Sequence, residues 1–168
     1  MKNIPIVIDF DKTLSRDDSL IKSLRALSPT KKMYAFFLMV LCGRLSLKRY
    51  LFLNNLMVSE VVYNRKILKL AISRNAVIVS GSLDKYLKRL LSKIIPEERI
   101  FGTTKINLIG RNKKKFLEGK YGYKKFDYIG DSFSDIHVWK SARKPYTVKR
   151  LHFYRLFVPH LKSTNDLI

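Results

Sequence analysis

Three short apolar segments, each followed at once by polar residues, constrain the fold of this chain most strongly. They are residues 4–8, 76–79 and 126–129. Short apolar runs bounded by turn residues are typical of buried strands. The residues that follow them are Asp9, Ser80-Gly81-Ser82 and Gly130-Asp131. The pattern therefore predicts three buried strands that deliver polar side chains at their carboxyl ends.

Helical patterns lie between and after these segments, over residues 83–95, 112–121 and 131–142. This alternation of strand and helix predicts an α/β fold, a doubly wound parallel sheet with right-handed crossovers. Ligands of such sheets bind beyond the carboxyl ends of the strands. We therefore expect Asp9, Ser80 and Asp131 to converge on one crevice.

Residues 14–73 break the alternation and predict several helices in succession. The predicted helices are residues 17–27, 31–42, 46–57 and 59–72, with breaks at 28–30 and at Cys42-Gly43. We interpret residues 14–73 as a helical cap inserted after the first strand. The core is then residues 1–13 and 74–150, and residues 151–168 form a basic, aromatic C-terminal tail.

The longest apolar stretch, residues 33–42, belongs to this predicted cap. It is shorter than the roughly 20 residues that a membrane span requires. Its simplest interpretation is the buried side of the cap, and the alternative is a segment that lies in a membrane interface. Cys42, the single cysteine, excludes an internal disulfide, and we interpret it as core filler.

The chain carries a formal net charge of +21, from 34 Lys and Arg against 13 Asp and Glu. Such a surface favours anionic partners, which include phosphate esters, nucleic acid and an acidic membrane leaflet. Asp9 and Asp11 interrupt the apolar start of the chain, which argues against a signal peptide. We expect a cytoplasmic protein, with peripheral association at the inner face of the membrane as a further hypothesis.

Asp9 and Asp11 stand two residues apart where the first strand is predicted to end, so both can face the crevice. One carboxylate can attack phosphorus to form an aspartyl-phosphate, while the other protonates the leaving oxygen and then activates water. With Asp131 nearby, the carboxylates would repel one another unless a hard cation such as Mg²⁺ lay among them. The residues thus predict a magnesium-dependent phosphohydrolase in which one of these two carboxylates is the nucleophile.

These residues also resemble the motifs of the haloacid dehalogenase (HAD) superfamily. Residues 9–14, DFDKTL, resemble its first motif, Ser80 its second, and residues 130–135, GDSFSD, its fourth. The third motif is a lysine, for which Lys113, Lys114 and Lys115 are candidates, and the spacing to a helical leucine favours Lys113. Lys12 departs from the family, which usually has glycine there.

The resemblance implies a HAD-like Rossmannoid fold and a role for each matching residue. Asp9 would be nucleophile and metal ligand, and Asp11 the general acid and base with its backbone carbonyl on the metal. Thr13 would support the first loop, and Ser80 and Gly81 would bind the phosphoryl group. Lys113 would neutralise the transferring group. Asp131 would complete the magnesium shell, with Asp135 behind it as part of the metal site.

A more detailed resemblance is to the HAD domains fused to UbiA-type prenyltransferases, through residues 126–143, 42–48 and, more weakly, 149–159. It implies a phosphorylated lipid or polyprenyl-linked sugar as substrate, or a membrane prenyltransferase as partner. Two other hypotheses remain, a non-catalytic partner subunit and a phosphatase or binding protein for nucleic-acid ends. The clustered carboxylates argue against a pure binder of polyanions.

Overall fold

The computed structural model describes residues 4–148 and 152–167. Six strands within these residues form one parallel sheet. The strands are β1 (Ile6–Ile8), β2 (Val77–Leu83), β3 (Ile100–Thr103), β4 (Asp127–Gly130), β5 (Pro145–Thr147) and β6 (Lys162–Ser163). Their order across the sheet is β3-β2-β1-β4-β5-β6, and every neighbouring pair is parallel. The predicted α/β class with a doubly wound parallel sheet is confirmed.

The strand order puts a switch point beside β1. The chain runs outward from β1 to β2 and β3, then crosses back to place β4 on the other side of β1. The amide of Asp9, just past the end of β1, donates to the carbonyl of Ile129 in β4 at 2.9 Å. Crevices at such switch points, outside the carboxyl ends of the strands, are where open α/β sheets bind ligands.

Helices cover both faces of the sheet. They are α1 (Ser19–Arg25), α2 (Pro29–Leu53), α3 (Arg65–Ser73), α4 (Asp84–Leu91), α5 (Arg111–Tyr121), α6 (Ile136–Ser141) and α7 (His152–Arg155). Alternate strand residues serve opposite cores, because successive side chains of a strand point to opposite faces. Ile8 packs in a cluster with residues of α2, α3 and α4, whereas Val7 packs with residues of α5 and α6.

Helix α2 is folded back on itself at Gly43. This glycine has φ 79° and ψ 171°, outside the helical region, so the predicted break at Cys42-Gly43 is confirmed. The rings of Tyr34 and Tyr50 lie 4.9 Å apart, although a straight helix would separate residues this far apart by roughly 24 Å. Residues 29–42 and 44–53 therefore form an antiparallel helical hairpin.

The prediction that residues 33–42 form the buried side of the cap is wrong. The second half of α2 supplies the buried side chains Leu47 and Leu51, whereas Ala35 is the buried residue of the first half. Cys42 is exposed, so its interpretation as core filler is wrong as well. An apolar pattern identifies side chains that share a helix face, but it does not show whether another element covers that face.

Three strands were not predicted, namely β3, β5 and β6, because their sequences, IFGT, PYT and KS, contain no apolar run longer than two residues. The predicted C-terminal tail contributes to the sheet, since β6 pairs with β5. Residues 149–151, part of the resemblance to the prenyltransferase fusions, lie outside the described residues. The fourth predicted cap helix begins later than expected, at Arg65, where the Asn64 side chain accepts from the amide of Ile67.

Within residues 4–148 and 152–167, none of the helices combines the length and the hydrophobicity needed to cross a bilayer.

Candidate active site

Asp9 lies at the carboxyl end of β1, with its side chain almost fully buried. Its Oδ1 accepts a hydrogen bond from Nζ of Lys113 at 2.8 Å. Lys113 comes from the first turn of α5 and is itself 3% exposed. This ion pair joins the end of β1 to α5, although the two residues are 104 positions apart in the chain.

Lys113 also reaches Asp135 and Tyr128, which complete a buried polar network. Its Nζ lies 3.3 Å from Oδ1 of Asp135 and 3.0 Å from the hydroxyl oxygen of Tyr128. The Tyr128 hydroxyl in turn donates to Oδ1 of Asp135 at 2.7 Å. Lys113 is the candidate lysine whose ammonium reaches Asp9, whereas Lys114 pairs with Glu118 one helical turn away, at 3.7 Å.

Asp135 fixes the loop that follows β4. Its Oδ2 accepts from the amides of Asp131 and Ser132 and from the hydroxyl of Ser132, at 3.2, 3.1 and 2.8 Å. With Lys113 and Tyr128 on Oδ1, five donors converge on one carboxylate, which has about four lone-pair positions. Asp135 therefore has little capacity left for a cation, and its main contacts hold Lys113 and the Asp131 loop in place.

Gly130 has a steric reason to be glycine. A Cβ at this position would lie 2.7 Å from Oδ2 of Asp135 and 2.9 Å from its Cγ. The close approach brings the Asp135 carboxylate against the backbone at the end of β4. The spacing of residues 130–135 thus reflects packing as well as chemistry.

Asp9, Asp131 and Asp135 form a buried acidic cluster. One carboxylate oxygen from each lies within 4.8 Å of the others. Hard cations such as Mg²⁺ bind carboxylate oxygens, and these three residues are the described side chains that could hold such an ion together. Asp9 and Asp131 also line the adjoining cavity, and they are the better placed of the three to share an ion with a ligand.

Burial and charge pairing have opposing effects on the pKa values of this cluster. Burial raises the pKa of Asp9 to about 8, against the opposing effect of the Lys113 ammonium and with a further upward contribution from the Asp135 carboxylate. Burial alone would lower the pKa of Lys113, but Asp135 and Asp9 outweigh it and the pKa lies above its ordinary value. One lysine is shared between two carboxylates, so a second cation near Asp9 would favour its ionised form.

Asp11 lies on the other side of the cavity, outside the acidic cluster. Its Oδ1 accepts from the amide of Ser19 at 2.8 Å, and its Oδ2 from the hydroxyl of Ser82 at 2.7 Å. Ser19 begins α1 and Ser82 lies near the end of β2, so two elements orient this carboxylate. The sequence placed Ser82 at the end of the second predicted strand but identified neither serine as a partner of Asp11, because nothing in their spacing relates them to it.

The loop from Asp9 to Leu14 contains a strained residue and a buried one. Lys12 has φ 58°, in the left-handed region that favours glycine, and its Nζ lies 3.5 Å from Oδ2 of Asp18. The departure from the family glycine thus coincides with a backbone conformation that disfavours a side chain. Thr13, in the same loop, is fully buried, and its Oγ1 has no hydrogen-bond partner among the described residues.

Ser80 and Gly81 lie in an irregular part of β2. The pairing with β3 shifts register between Val79 and Leu83, so the polar residues predicted to follow the strand occupy a bulge within it. The Ser80 hydroxyl accepts from the amide of Ser82 at 3.1 Å. Ser80 and Gly81 both line the cavity with Asp9.

Lys48 and Arg44 are cavity residues that sequence analysis did not identify as site residues. Both come from the second half of α2, and Lys48 is buried with its Nζ donating to the backbone carbonyl of Gly81. Burial, with help from the charge of Arg44, lowers the pKa of Lys48 to about 8. Alternation of basic and apolar residues on a helix is usually a solvated pattern, so the sequence held no signal for a buried lysine here.

The cavity that these residues line has a volume of about 240 Å³. Its acidic side chains are Asp9, Asp11, Asp18 and Asp131. Its basic side chains are Lys12, Arg44, Lys48 and Lys113. The formal charges cancel, so one divalent cation among the carboxylates would make the cavity a receptor for a dianion. A larger cavity, about 640 Å³ between β3 and α5, includes Asp84 as its one acidic residue among those described.

Solved structures share this fold. A HAD-family hydrolase from Salmonella enterica subsp. enterica serovar Typhi superposes with a TM-score of 0.62 at 17% identity, covering 96% of this chain and 69% of that one. The fold is that of the HAD-family hydrolases. A phosphoserine phosphatase with a phospho-aspartyl intermediate analogue gives 0.59 at 15% identity, covering 97% and 93%. A substrate-bound phosphoserine phosphatase gives 0.57 at 16% identity, covering 88% and 86%.

No protein-family model matches the chain, and no curated protein matches it significantly. The similarity to these structures shows the HAD fold of the chain. Conclusions about its chemistry rest on the arrangement of its side chains.

Proposed function

We propose that this chain is a magnesium-dependent phosphatase that forms an aspartyl-phosphate on Asp9. The observation that carries the proposal is the meeting of Asp9, Asp131 and Lys113 at one cavity, at the carboxyl ends of two adjacent strands. A nucleophilic carboxylate, an oxygen-rich cation site and a fixed ammonium are the groups that phosphoryl transfer requires.

In the first step, a carboxylate oxygen of Asp9 bonds to phosphorus as the ester bond to the leaving oxygen breaks. The Asp11 carboxyl gives its proton to that leaving oxygen. In the second step, the Asp11 carboxylate takes a proton from water, whose oxygen bonds to phosphorus while the bond to Asp9 breaks. Inorganic phosphate is released, and both aspartates return to their starting states.

The geometry supports different roles for the two aspartates. Asp9 contacts the ammonium of Lys113, which favours its nucleophilic anion. Asp11 is held by a hydroxyl and an amide instead, Ser82 and Ser19, and no lysine lies within ion-pairing distance of it in the described part of the chain.

Asp9 and Asp131 are the residues that would hold Mg²⁺, since their oxygens belong to the acidic cluster and both face the cavity. When bound, the ion would neutralise charge on the phosphoryl oxygens and favour ionised Asp9. Lys113 would neutralise the same group from the opposite side, and the Ser80 hydroxyl would donate to a phosphoryl oxygen. Asp135 and Tyr128 would act by keeping Lys113 in position.

The substrate that we propose is a lipid-linked or sugar phosphate. A cavity of about 240 Å³ is smaller than most pockets for whole ligands, so it would enclose the phosphoryl group and leave the rest of the ester outside. Arg44 and Lys48 lie on the cap side and would meet the leaving group. The resemblance to the prenyltransferase fusions and the net charge of +21 favour a phosphate attached to a lipid or to a lipid-linked sugar.

The proposal is tested by turnover of p-nitrophenyl phosphate with Mg²⁺. We expect wild-type protein to release p-nitrophenol, and we expect chelation of the ion or the substitution Asp9→Asn to abolish release. Equal activity in the Asp9→Asn protein would refute the role of Asp9. A screen of sugar phosphates, nucleotides and isoprenoid phosphates, with the Asp9→Asn protein as blank, then identifies the substrate class.

A further inference from the structure

The outward side of the first half of α2 is apolar and exposed. It comprises Met33, Phe36, Phe37, Val40 and Leu41, which we call the docking face, and their exposed fractions are 62%, 59%, 55%, 62% and 78%. These positions follow the spacing i, i+3, i+4, i+7, i+8, which gathers side chains on one face of a helix. Ala35, the buried residue of the same segment, lies on the opposite side.

This spacing normally marks the side of a helix that meets a core, and here that side meets solvent. The fold-back at Gly43 explains why. The second half of α2 packs against the core through Leu47 and Leu51. The first half therefore forms an outer layer, and no described residue covers its outward side. The face lies along one arm of the hairpin, beside the exposed tip at Cys42-Gly43.

The stretch of sequence that contains the docking face carries charges of one sign. Residues 19–59 contain no aspartate or glutamate. Their basic residues are Lys22, Arg25, Lys31, Lys32, Arg44, Lys48 and Arg49. Lys31, Lys32 and Arg44 flank the apolar side chains directly in sequence, and all three are exposed.

We propose that the docking face binds the surface of an anionic lipid bilayer, with its apolar side chains among the acyl chains and its lysines and arginines among the headgroups. A hydrophobic helix face bordered by basic residues is suited to this position at an interface. The helices of the described residues do not span a bilayer, so the hairpin lies on the membrane. A second copy of this chain is a poorer partner for the docking face, since two chains that each carry a net charge of +21 repel each other.

The inference goes beyond the proposed phosphatase activity, but the hairpin relates the two. The arm that follows Gly43 carries Arg44 and Lys48 to the cavity, while the arm that precedes it carries the docking face. Membrane binding would therefore bring the cavity close to phosphate groups of membrane-resident molecules.

Vesicle co-sedimentation tests the proposal, using vesicles of phosphatidylcholine alone and of phosphatidylcholine mixed with phosphatidylglycerol. We expect wild-type protein to bind the mixed vesicles and to bind less tightly as salt is raised. The double variant Phe37→Asp/Leu41→Asp should bind at least about tenfold more weakly. Both side chains are exposed, so the melting temperature should stay close to that of wild type.

The matched control is Ile72→Asp/Ile106→Asp. These residues are 52% and 63% exposed and lie outside α2, and the control changes the net charge by the same amount. Its binding should fall by less than about threefold. Equal losses in the two variants, or no binding of wild type to the mixed vesicles, would overturn the proposal. If the wild-type protein were a dimer that did not bind vesicles, and Phe37→Asp/Leu41→Asp made it monomeric, the docking face would be assigned to a second copy of the chain.

Failure of this proposal is distinguishable from failure of the proposed function. Turnover of soluble p-nitrophenyl phosphate should be unchanged in Phe37→Asp/Leu41→Asp, and the Asp9→Asn protein should bind vesicles as wild type does.

Discussion

The two sides of the cavity are built differently. On the core side, Lys113, Asp135 and Tyr128 are fully buried and each contacts at least two other polar groups. On the cap side, Lys48 makes one side-chain hydrogen bond within the described residues, to the carbonyl of Gly81, and Arg44 is exposed. Hydrogen bonds therefore fix the side chains of the core side more extensively than those of the cap side. For the proposed phosphatase, we expect the core side to perform the chemistry and the cap side to select the substrate.

The largest effect is expected from Lys113→Met. It removes the cation shared by Asp9 and Asp135, and breaking a buried pair typically costs about 3–5 kcal/mol. We expect the free energy of unfolding to fall by about that amount and kcat to fall at least about 100-fold. Chemical denaturation and p-nitrophenyl phosphate turnover provide the measurements.

Lys114→Met is the matched control, because Lys114 is the next residue of α5 and pairs with Glu118 at the surface. Its free energy of unfolding should change by less than about 0.5 kcal/mol, with activity near that of wild type. If the two variants behaved alike, the core side would not be the interlocked region described above.

The next effect concerns the cation site. Mg²⁺ should raise the melting temperature of the wild-type protein, since binding to the native state stabilises it. Asp131→Asn should remove most of that shift and lower kcat at least about tenfold. Differential scanning fluorimetry over a magnesium titration measures it. A wild-type shift retained in Asp131→Asn would place the ion elsewhere.

On the cap side, Lys48→Met should act on substrate binding more than on the chemical step. Loss of a charged hydrogen-bond donor costs about 1.5–3 kcal/mol, so we expect KM for an anionic phosphate ester to rise at least about tenfold with a smaller change in kcat. Arg49→Met is the control, since Arg49 is the next residue and bonds the Thr104 carbonyl outside the cavity. A change confined to kcat would move Lys48 to the chemical side of the comparison.

The smallest effect is expected at Lys12, where the loop is strained. Lys12→Gly relieves a φ of 58° and should raise the free energy of unfolding by about 1 kcal/mol. Lys12→Ala removes the same charge but keeps a Cβ, so it should not be stabilising. Thermal denaturation of the two variants separates backbone strain from charge, and equal stability would show that φ at this position has no cost.

The sequence was informative where local rules apply and uninformative where contacts are distant. Apolar runs followed by polar residues predicted the central β1, β2 and β4, because burial on both faces makes such strands nearly continuous in hydrophobicity. β3, β5 and β6 lack that signal, because none of them contains an apolar run longer than two residues. Strand ends and motif order predicted Asp9, Asp131 and Lys113 as site residues. The structure brings the three side chains to one cavity.

Other site residues depend on pairings that no local pattern encodes. Tyr128 resembles a core aromatic residue of β4, and its hydroxyl contacts become visible only when α5 is packed against the sheet. Lys48 is 33 residues from Gly81, its bonding partner, and depends on the fold-back at Gly43. The same fold-back explains why an apolar segment expected inside the cap is exposed.

The central claim is that Asp9 becomes covalently phosphorylated. Protein quenched in acid during turnover of p-nitrophenyl phosphate with Mg²⁺ can be digested and its peptides weighed by mass spectrometry. The account predicts one added phosphoryl group on the peptide that contains Asp9, and none in the Asp9→Asn protein. Turnover with no phosphorylated peptide at any quench time, or with the phosphoryl group on another residue, would contradict it.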